Sequence, residues 1–234
     1  MCNLYSITSS QAAIRQLARA IRVLTGNHPS LPAIFPDQMA PVVRTGPDGV
    51  RELVMMRWGF PPPMNPGVSL VTNVRNTASH WWKPWLMAGH RCLVPVTSFC
   101  EYDHRTKPPV PTWFAKDDAR SLFFFAGIWR PWTGTRGTKA ALEVGQHLLF
   151  SFLTTEPNTV VAPVHPKAMP VLLLNEAARE TWLTGSVEAA LGLQRPAPND
   201  ALRVVATGGK SDPPALTIAA EIRDGNRRTE GSQT

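Results

Sequence analysis

Apolar residues recur at Ile14, Leu17, Ala18 and Ile21, the three- and four-residue spacing of one helix face. Thr8, Ser9 and Ser10 stand just ahead of them, with hydroxyls suited to accept from the free amides of a first helical turn. Residues 8–24 are therefore expected to form one amphipathic helix that starts directly after residues 1–5. The pattern then changes. Across residues 28–75, Pro29, Pro32, Pro36, Pro41 and the run Pro61, Pro62, Pro63 separate short apolar stretches such as 53–58, which predicts strands and loops. Further short runs at 92–99, 122–129, 148–154 and 171–174 also predict strands. A second helical stretch is expected over 176–191, capped by Asn175 and interrupted by Gly185. Many short strands with two or three peripheral helices predict an α+β fold, a single domain with a mainly antiparallel or mixed β core. No repeat or linker divides it. The domain is drawn over 1–222, and the polar end at 223–234, with Arg223, Gly225, Arg227, Arg228 and Gly231, is expected to be a disordered tail.

Composition narrows the classes. The 234 residues are 43% hydrophobic and 18% charged, enough apolar mass for a core. With 23 prolines and 16 glycines, a helical bundle or coiled coil does not fit. No run approaches a membrane span of about 18–20 apolar residues, and a basic segment followed by an apolar one is missing from the N-terminus. A soluble cytoplasmic protein is expected. Lys and Arg exceed Asp and Glu by 24 to 17, a formal charge of +7, and a field of that sign concentrates anionic partners. Cys2, Cys92 and Cys100 are odd in number and lack paired zinc spacings, so reduced thiols and no metal are expected.

Cys2 carries the most specific chemistry. It follows the initiator Met and is small enough for that Met to be removed. An N-terminal Cys holds two nucleophiles, an α-amine of pKa about 7.7–8.0 and a thiol of about 8.5. The amine can form an imine with an aldehyde, and the thiol of the same residue can then close a five-membered thiazolidine. Position alone equally fits a cysteine with no role, so other motifs must carry the argument.

Five motifs follow in order: Met1-Cys2-Asn3-Leu4-Tyr5; Arg57-Trp58-Gly59-Phe60; Asn73-Val74-Arg75-Asn76; Arg91-Cys92-Leu93-Val94-Pro95 leading to Phe99-Cys100-Glu101-Tyr102; and His165-Pro166-Lys167-Ala168-Met169-Pro170-Val171. In that order they resemble the SOS response-associated peptidase (SRAP) family of abasic site processing proteins, from residue 1 to roughly residue 210. The resemblance implies a protein that links covalently to abasic sites in single-stranded DNA, protecting the lesion during replication and the DNA damage response, with lyase-like and autopeptidase chemistry. It implies no cofactor, a monomer, and a cytoplasmic protein that joins the nucleoid during damage.

The resemblance also implies roles. Cys2, Asn73, Glu101 and His165 form the catalytic set. Glu101 would orient the Cys2 amine and relay protons, and His165, of ordinary pKa about 6.5, would exchange a proton with the sugar oxygen. Asn73 would fix the Cys2 backbone or a sugar hydroxyl. Arg75 would offer its fork to a phosphate, Thr154 its hydroxyl and Lys167 its charge. Trp58, Phe60 and Tyr102 are expected to stack on bases near the gap, whereas Trp81, Trp82 and Trp85 are expected to cover a core edge. Departures from the family pattern fall at Asn3 and Leu4, where Gly and Arg are commoner, at Asn76 and Thr77, where an acidic residue is missing, and at His165, five residues before Pro170 rather than four.

Two rival readings use the same residues. One makes Cys2 an N-terminal nucleophile of a peptidase or self-processing hydrolase, and the other a non-enzymatic single-stranded DNA-binding module. The run Gly208-Gly209-Lys210-Ser211 resembles the end of a phosphate loop, but the first glycine of that motif would fall at Val204, so ATP binding is rejected. Neither H-E-x-x-H nor G-x-S-x-G occurs, which excludes the metalloprotease and α/β-hydrolase patterns.

Overall fold

The structure is a computed structural model and describes residues 2–62, 70–138 and 141–214. The boundary expected near 222 and the tail at 223–234 lie outside them, as does Met1.

The first predicted helix is shorter than its apolar pattern. After β1 (Tyr5–Ile7), α1 (Gln11–Ala18) starts where the Ser10 hydroxyl accepts from the Ala13 amide and stops at Arg19, whose φ of 52° leaves the helical region. Ile14 and Ala18 are buried, but Ile21, counted on the apolar face, is 76% exposed. The chain past Arg19 turns into β2 (Arg22–Val23), because its amides pair with the start of a neighbouring strand, Ile21 N donating to Arg51 O at 2.9 Å.

There follow β3 (Leu31–Ile34), β4 (Met39–Thr45), β5 (Arg51–Trp58), β6 (Asn73–Val74), β7 (Arg91–Val96), β8 (Ser98–Asp103), β9 (Val110–Ala115), β10 (Phe123–Thr138), β11 (Ala141–Thr155), β12 (Met169–Pro170) and β13 (Leu172–Leu173). The second helical stretch is divided at Gly185 as the sequence predicts, into α2 (Glu176–Thr184) and α3 (Val187–Leu191), and β14 (Arg203–Thr207) closes the described chain. Asn175 caps α2 through its side chain. A Cβ on Gly185 would stand 2.7 Å from the Thr181 carbonyl, the close approach that makes glycine the natural stop there.

Two sheets result. One has the order β14-β9-β8-β1-β3, all antiparallel. In the other, β11, β10, β7, β4 and β5 pair in succession, and β5 returns to β11 in parallel through Arg57↔Leu149 and Trp58↔Phe150. Those five strands close a ring, so their shared edges are paired. Gly59 lets β5 end at that closure: its φ of +110° is open to glycine, and its amide donates to Phe150 O at 2.7 Å. The α+β expectation holds, with the core a closed barrel rather than an open sheet.

An aromatic cluster fills the space between the sheets. Tyr5, from β1, meets Trp58 edge-on at 5.1 Å between centroids, and Trp58 stacks on Phe152 at 5.3 Å. Phe99, Phe125 and Phe150 complete it. Trp82 is buried against Phe60, with Trp81 and Trp85 half-buried on the same core, as expected of a core-edge cover.

Outside the barrel, Trp182 of α2 donates from its indole to Cys92 O at 2.9 Å and Gly127 O at 3.1 Å. Gly127 is tightly held there: an added Cβ would lie 2.7 Å from Cys92 Sγ and 2.8 Å from Val94 Cγ2. Gly127→Ala is expected to cost about 1–3 kcal/mol by overpacking, read as a lower urea midpoint at unchanged m-value.

Candidate active site at the junction of the two sheets

The site is assembled by strand pairing. β1 runs antiparallel to β8 through Tyr5↔Phe99 and Ser6↔Ser98, and the ladder continues toward the N-terminus through Cys100 N donating to Leu4 O at 2.9 Å. Cys2 is thereby carried to the end of β8, where Glu101 lies. Side chains alternate along a strand. Phe99 and Glu101 thus face the inter-sheet core together, while Cys100 points the other way, to Leu4 and Trp113. Leu4, where the commoner family opening has an arginine, is a core residue here, 1% exposed.

The barrel contributes Asn73. β6 lies parallel to β11 with Asn73 opposite Phe152, and Asn73 Nδ2 donates to Cys2 O at 2.8 Å and to Thr72 Oγ1 at 2.7 Å. Thr72 in turn donates to Asn3 Oδ1 at 3.1 Å, and its carbonyl accepts from the Trp58 indole at 3.1 Å. Residues 2 and 3 are thus tied to the barrel by two side chains. Cys2 Sγ lies 3.5 Å from Leu4 O and 4.0 Å from Cys100 O.

Polar atoms without partners gather around this point. Among the described residues Asn73 Oδ1, Glu101 Oε1 and Tyr5 Oη are buried with no hydrogen-bond partner. A buried orphan costs free energy, and those of Asn73, bonded to the Cys2 backbone, and Glu101, close enough to act on its thiol, make this a candidate place for a ligand to complete the bonding.

The electrostatics are inverted relative to free side chains. Burial pushes the Glu101 carboxyl up to about 8, against the pull of the amino-terminal charge. Burial also lowers His165 to about 4, helped by the amino-terminal charge, His104 and Lys167. His165 is accordingly neutral near pH 7 rather than about one quarter protonated, as its ordinary value of about 6.5 would have it. Burial, and then the Glu101 charge, raise the Cys2 thiol well above its ordinary range. With Met1 in place, the site at neutral pH therefore holds a protonated carboxyl, a neutral imidazole and an un-ionised thiol.

The remaining sequence-predicted residues divide. Arg75 follows β6 and is 40% exposed, paired with Glu156 and donating to Lys167 O at 3.3 Å. Lys167 is exposed and Tyr102 half-buried. Two expectations need correction. Trp58 and Phe60 are fully buried in the core, so neither presents a ring for bases to stack on: β5 points Trp58 inward at the barrel closure. Thr154 is 1% exposed, held between β12, which pairs with it through Pro170, and Gln194, which donates to its carbonyl, so its hydroxyl is not offered to a phosphate. Sequence reasoning misses Thr72, Glu156 and Gln194. Thr72 borders the Asn73 motif, while Gln194, which donates to Arg75 O and Thr154 O, gives no sequence signal.

A family model described as SOS response associated peptidase (SRAP) matches residues 1–208. The chain belongs to the SRAP family. It is 28% identical over 166 residues to the abasic site processing protein YoqW of Bacillus subtilis (strain 168), covering 67% of each chain. It is 29% identical over 138 residues, 55% of each chain, to the abasic site processing protein YoaM of the same organism. A crystal structure of a Bordetella bronchiseptica protein shares the fold with a TM-score of 0.68 at 24% identity, over 88% of this chain and 98% of that one. One from Bacteroides thetaiotaomicron gives 0.65 at 18% identity, over 87% and 90%. Among the described residues of this SRAP chain no His, Cys, Asp and Glu cluster suits a metal, and no helix is long and apolar enough to cross a membrane.

Keeping Glu101 protonated has a consequence for stability. An unfolded Glu titrates near about 4.3, so between there and about 8 the native state holds a proton that the unfolded state has released. Stability must fall as pH rises through that window and level off above it. Glu101→Gln, which stays neutral, is expected to match wild type near pH 4 and to exceed it by roughly 1–3 kcal/mol at pH 8, measured by urea denaturation across pH.

Proposed function

We propose that this protein processes abasic sites in single-stranded DNA by forming a covalent crosslink through Cys2. The observation that carries the reading is the setting of Cys2: Asn73 holds its carbonyl at 2.8 Å, and the free acceptors Asn73 Oδ1 and Glu101 Oε1 are buried beside it. Family membership and the names of the Bacillus relatives support the substrate.

The chemistry follows from those groups. Removal of Met1 turns the Cys2 nitrogen from an amide into an amine. An abasic deoxyribose is mainly a closed hemiacetal, and opening it frees the C1′ aldehyde. The Cys2 nitrogen bonds to C1′, giving a carbinolamine. Protonated Glu101 supplies the proton with which the hydroxyl leaves as water, and an imine remains. The thiol then adds to the C=N bond: Sγ bonds to C1′, its proton passes to nitrogen by way of neutral His165 or Glu101, and a thiazolidine closes. One water is lost overall. A thiol kept un-ionised until the imine forms is held back from reaction with other electrophiles.

Arg75 and Lys167 would take phosphates next to the lesion, with binding that weakens as salt rises. The peptidase reading uses Cys2 with its nitrogen still in a peptide and gives turnover instead of an adduct.

Purified protein, its Met1 removal confirmed by intact mass, is mixed with an abasic oligonucleotide and run on a denaturing gel. A heat-stable band is expected, with a mass equal to the sum of the two components less one water. Cys2→Ala is expected to give none, and absence of the band from folded wild type sinks the reading. Glu101→Gln is expected to slow formation by about 10²–10⁴, and the wild-type rate to fall as pH rises through the pKa of the Glu101 carboxyl, which the amine freed on Cys2 by Met1 removal holds below its value of about 8 in the uncleaved chain.

A further inference from the structure

The guanidinium of Arg75 is already engaged. Its Nη2 donates to Glu156 Oε1 and its Nη1 to Lys167 O. The two residues sit on segments fixed to each other: Gln194 Nε2 donates to Arg75 O at 2.8 Å and to Thr154 O at 2.9 Å, and Gln194 Oε1 accepts from Thr77 at 2.8 Å. Glu156 therefore cannot drift far from Arg75 even when the ion pair opens.

The pair does little for the fold. Glu156 is 70% and Arg75 40% exposed, and such pairs contribute about 0–1 kcal/mol. The buried carboxylates are different: Glu52 and Asp212, at 2% and 0% side-chain exposure, hold Arg44 and Arg120 inside the protein. The Arg75–Glu156 pair instead stands at the open edge of the site, and a carboxylate takes the same donor edge of a guanidinium that a phosphate does.

We propose that Glu156 is an intramolecular competitor for Arg75, a carboxylate in the place of a DNA phosphate, which the strand must displace on binding. This rests on the reading of the site as one that binds single-stranded DNA. Binding then exchanges the Arg75–Glu156 pair for an Arg75–phosphate pair and returns the largely exposed Glu156 carboxylate to water. The contact is weakened, and it releases less counterion than a free arginine would. The effect falls on every strand during encounter, but only an abasic strand goes on to form a covalent bond. Glu156 thereby limits residence on undamaged DNA.

The test uses a fluorescent oligothymidylate without an abasic site, its anisotropy followed across roughly 50–200 mM salt. Glu156→Gln is expected to bind about two- to fivefold more tightly at the low-salt end. Its plot of log K against log salt is expected to be steeper by up to about 0.7, the value of one phosphate contact on a single strand. In an Arg75→Ala background the same substitution is expected to change neither quantity, as an effect exerted through Arg75 requires. Binding of Glu156→Gln equal to or weaker than wild type overturns the proposal and makes Glu156 a residue that merely positions Arg75. A gain that persists without Arg75 overturns it as well. The abasic-oligonucleotide gel separates the two levels. A wild-type crosslink with no gain in Glu156→Gln removes only the competitor, whereas failure of wild type both to bind the strand and to crosslink removes the functional reading with it.

Discussion

The antiparallel pairing of β1 with β8 is the interaction on which the site depends. A chain terminus is ordinarily mobile, and a nucleophile placed there has no defined partner. Here the ladder from Ser6↔Ser98 to Leu4–Cys100 fixes the first residues. Tyr5, sunk among Trp58, Phe125 and Phe152, anchors the strand from its inner face. Asn73 then reaches from the barrel to the Cys2 carbonyl. Two sheets are needed, because one supplies Cys2 and Glu101 and the other the amide that holds them in register.

That arrangement sets the protonation states. Glu101 faces the same aromatic core as Phe99, and a carboxylate there would lose more by leaving water than the amino-terminal charge returns. It keeps its proton instead. Partial burial beside positive charge does the reverse to His165. A protonated carboxyl and a neutral imidazole thus coexist at one pH: burial carries Glu101 past neutrality and moves His165 further below it. The orphaned acceptors beside Cys2 are tolerated because the aromatic core around them contributes far more than they cost.

The surface follows a different logic. Two of the three aromatic residues expected to stack on bases, Trp58 and Phe60, are taken by the core where β5 ends at the barrel closure, and Tyr102 is half-buried. What remains at the open edge is charge, namely Arg75, Lys167 and Glu156.

The sequence by itself determined the local elements and pointed to the candidate reacting groups. Alternation and proline spacing marked the strands, Asn175 and Gly185 bounded the second helical stretch, and the motifs around Cys2, Asn73, Glu101 and His165 singled out the chemistry, since covalent reactivity belongs to a residue type. Helical periodicity overran at Ile21, because the backbone beyond Arg19 gains a strand partner at Arg51 that no local pattern encodes. Only the tertiary structure decided that the barrel closes, that Trp58 and Thr154 are buried, and that Thr72, Gln194 and Glu156 adjoin the site. Those facts depend on pairings between segments as much as 119 residues apart, as Gln194 is from Arg75. The inverted protonation of Glu101 and His165 belongs with them: a pKa responds to burial and to nearby charge, and both exist only once the chain has folded.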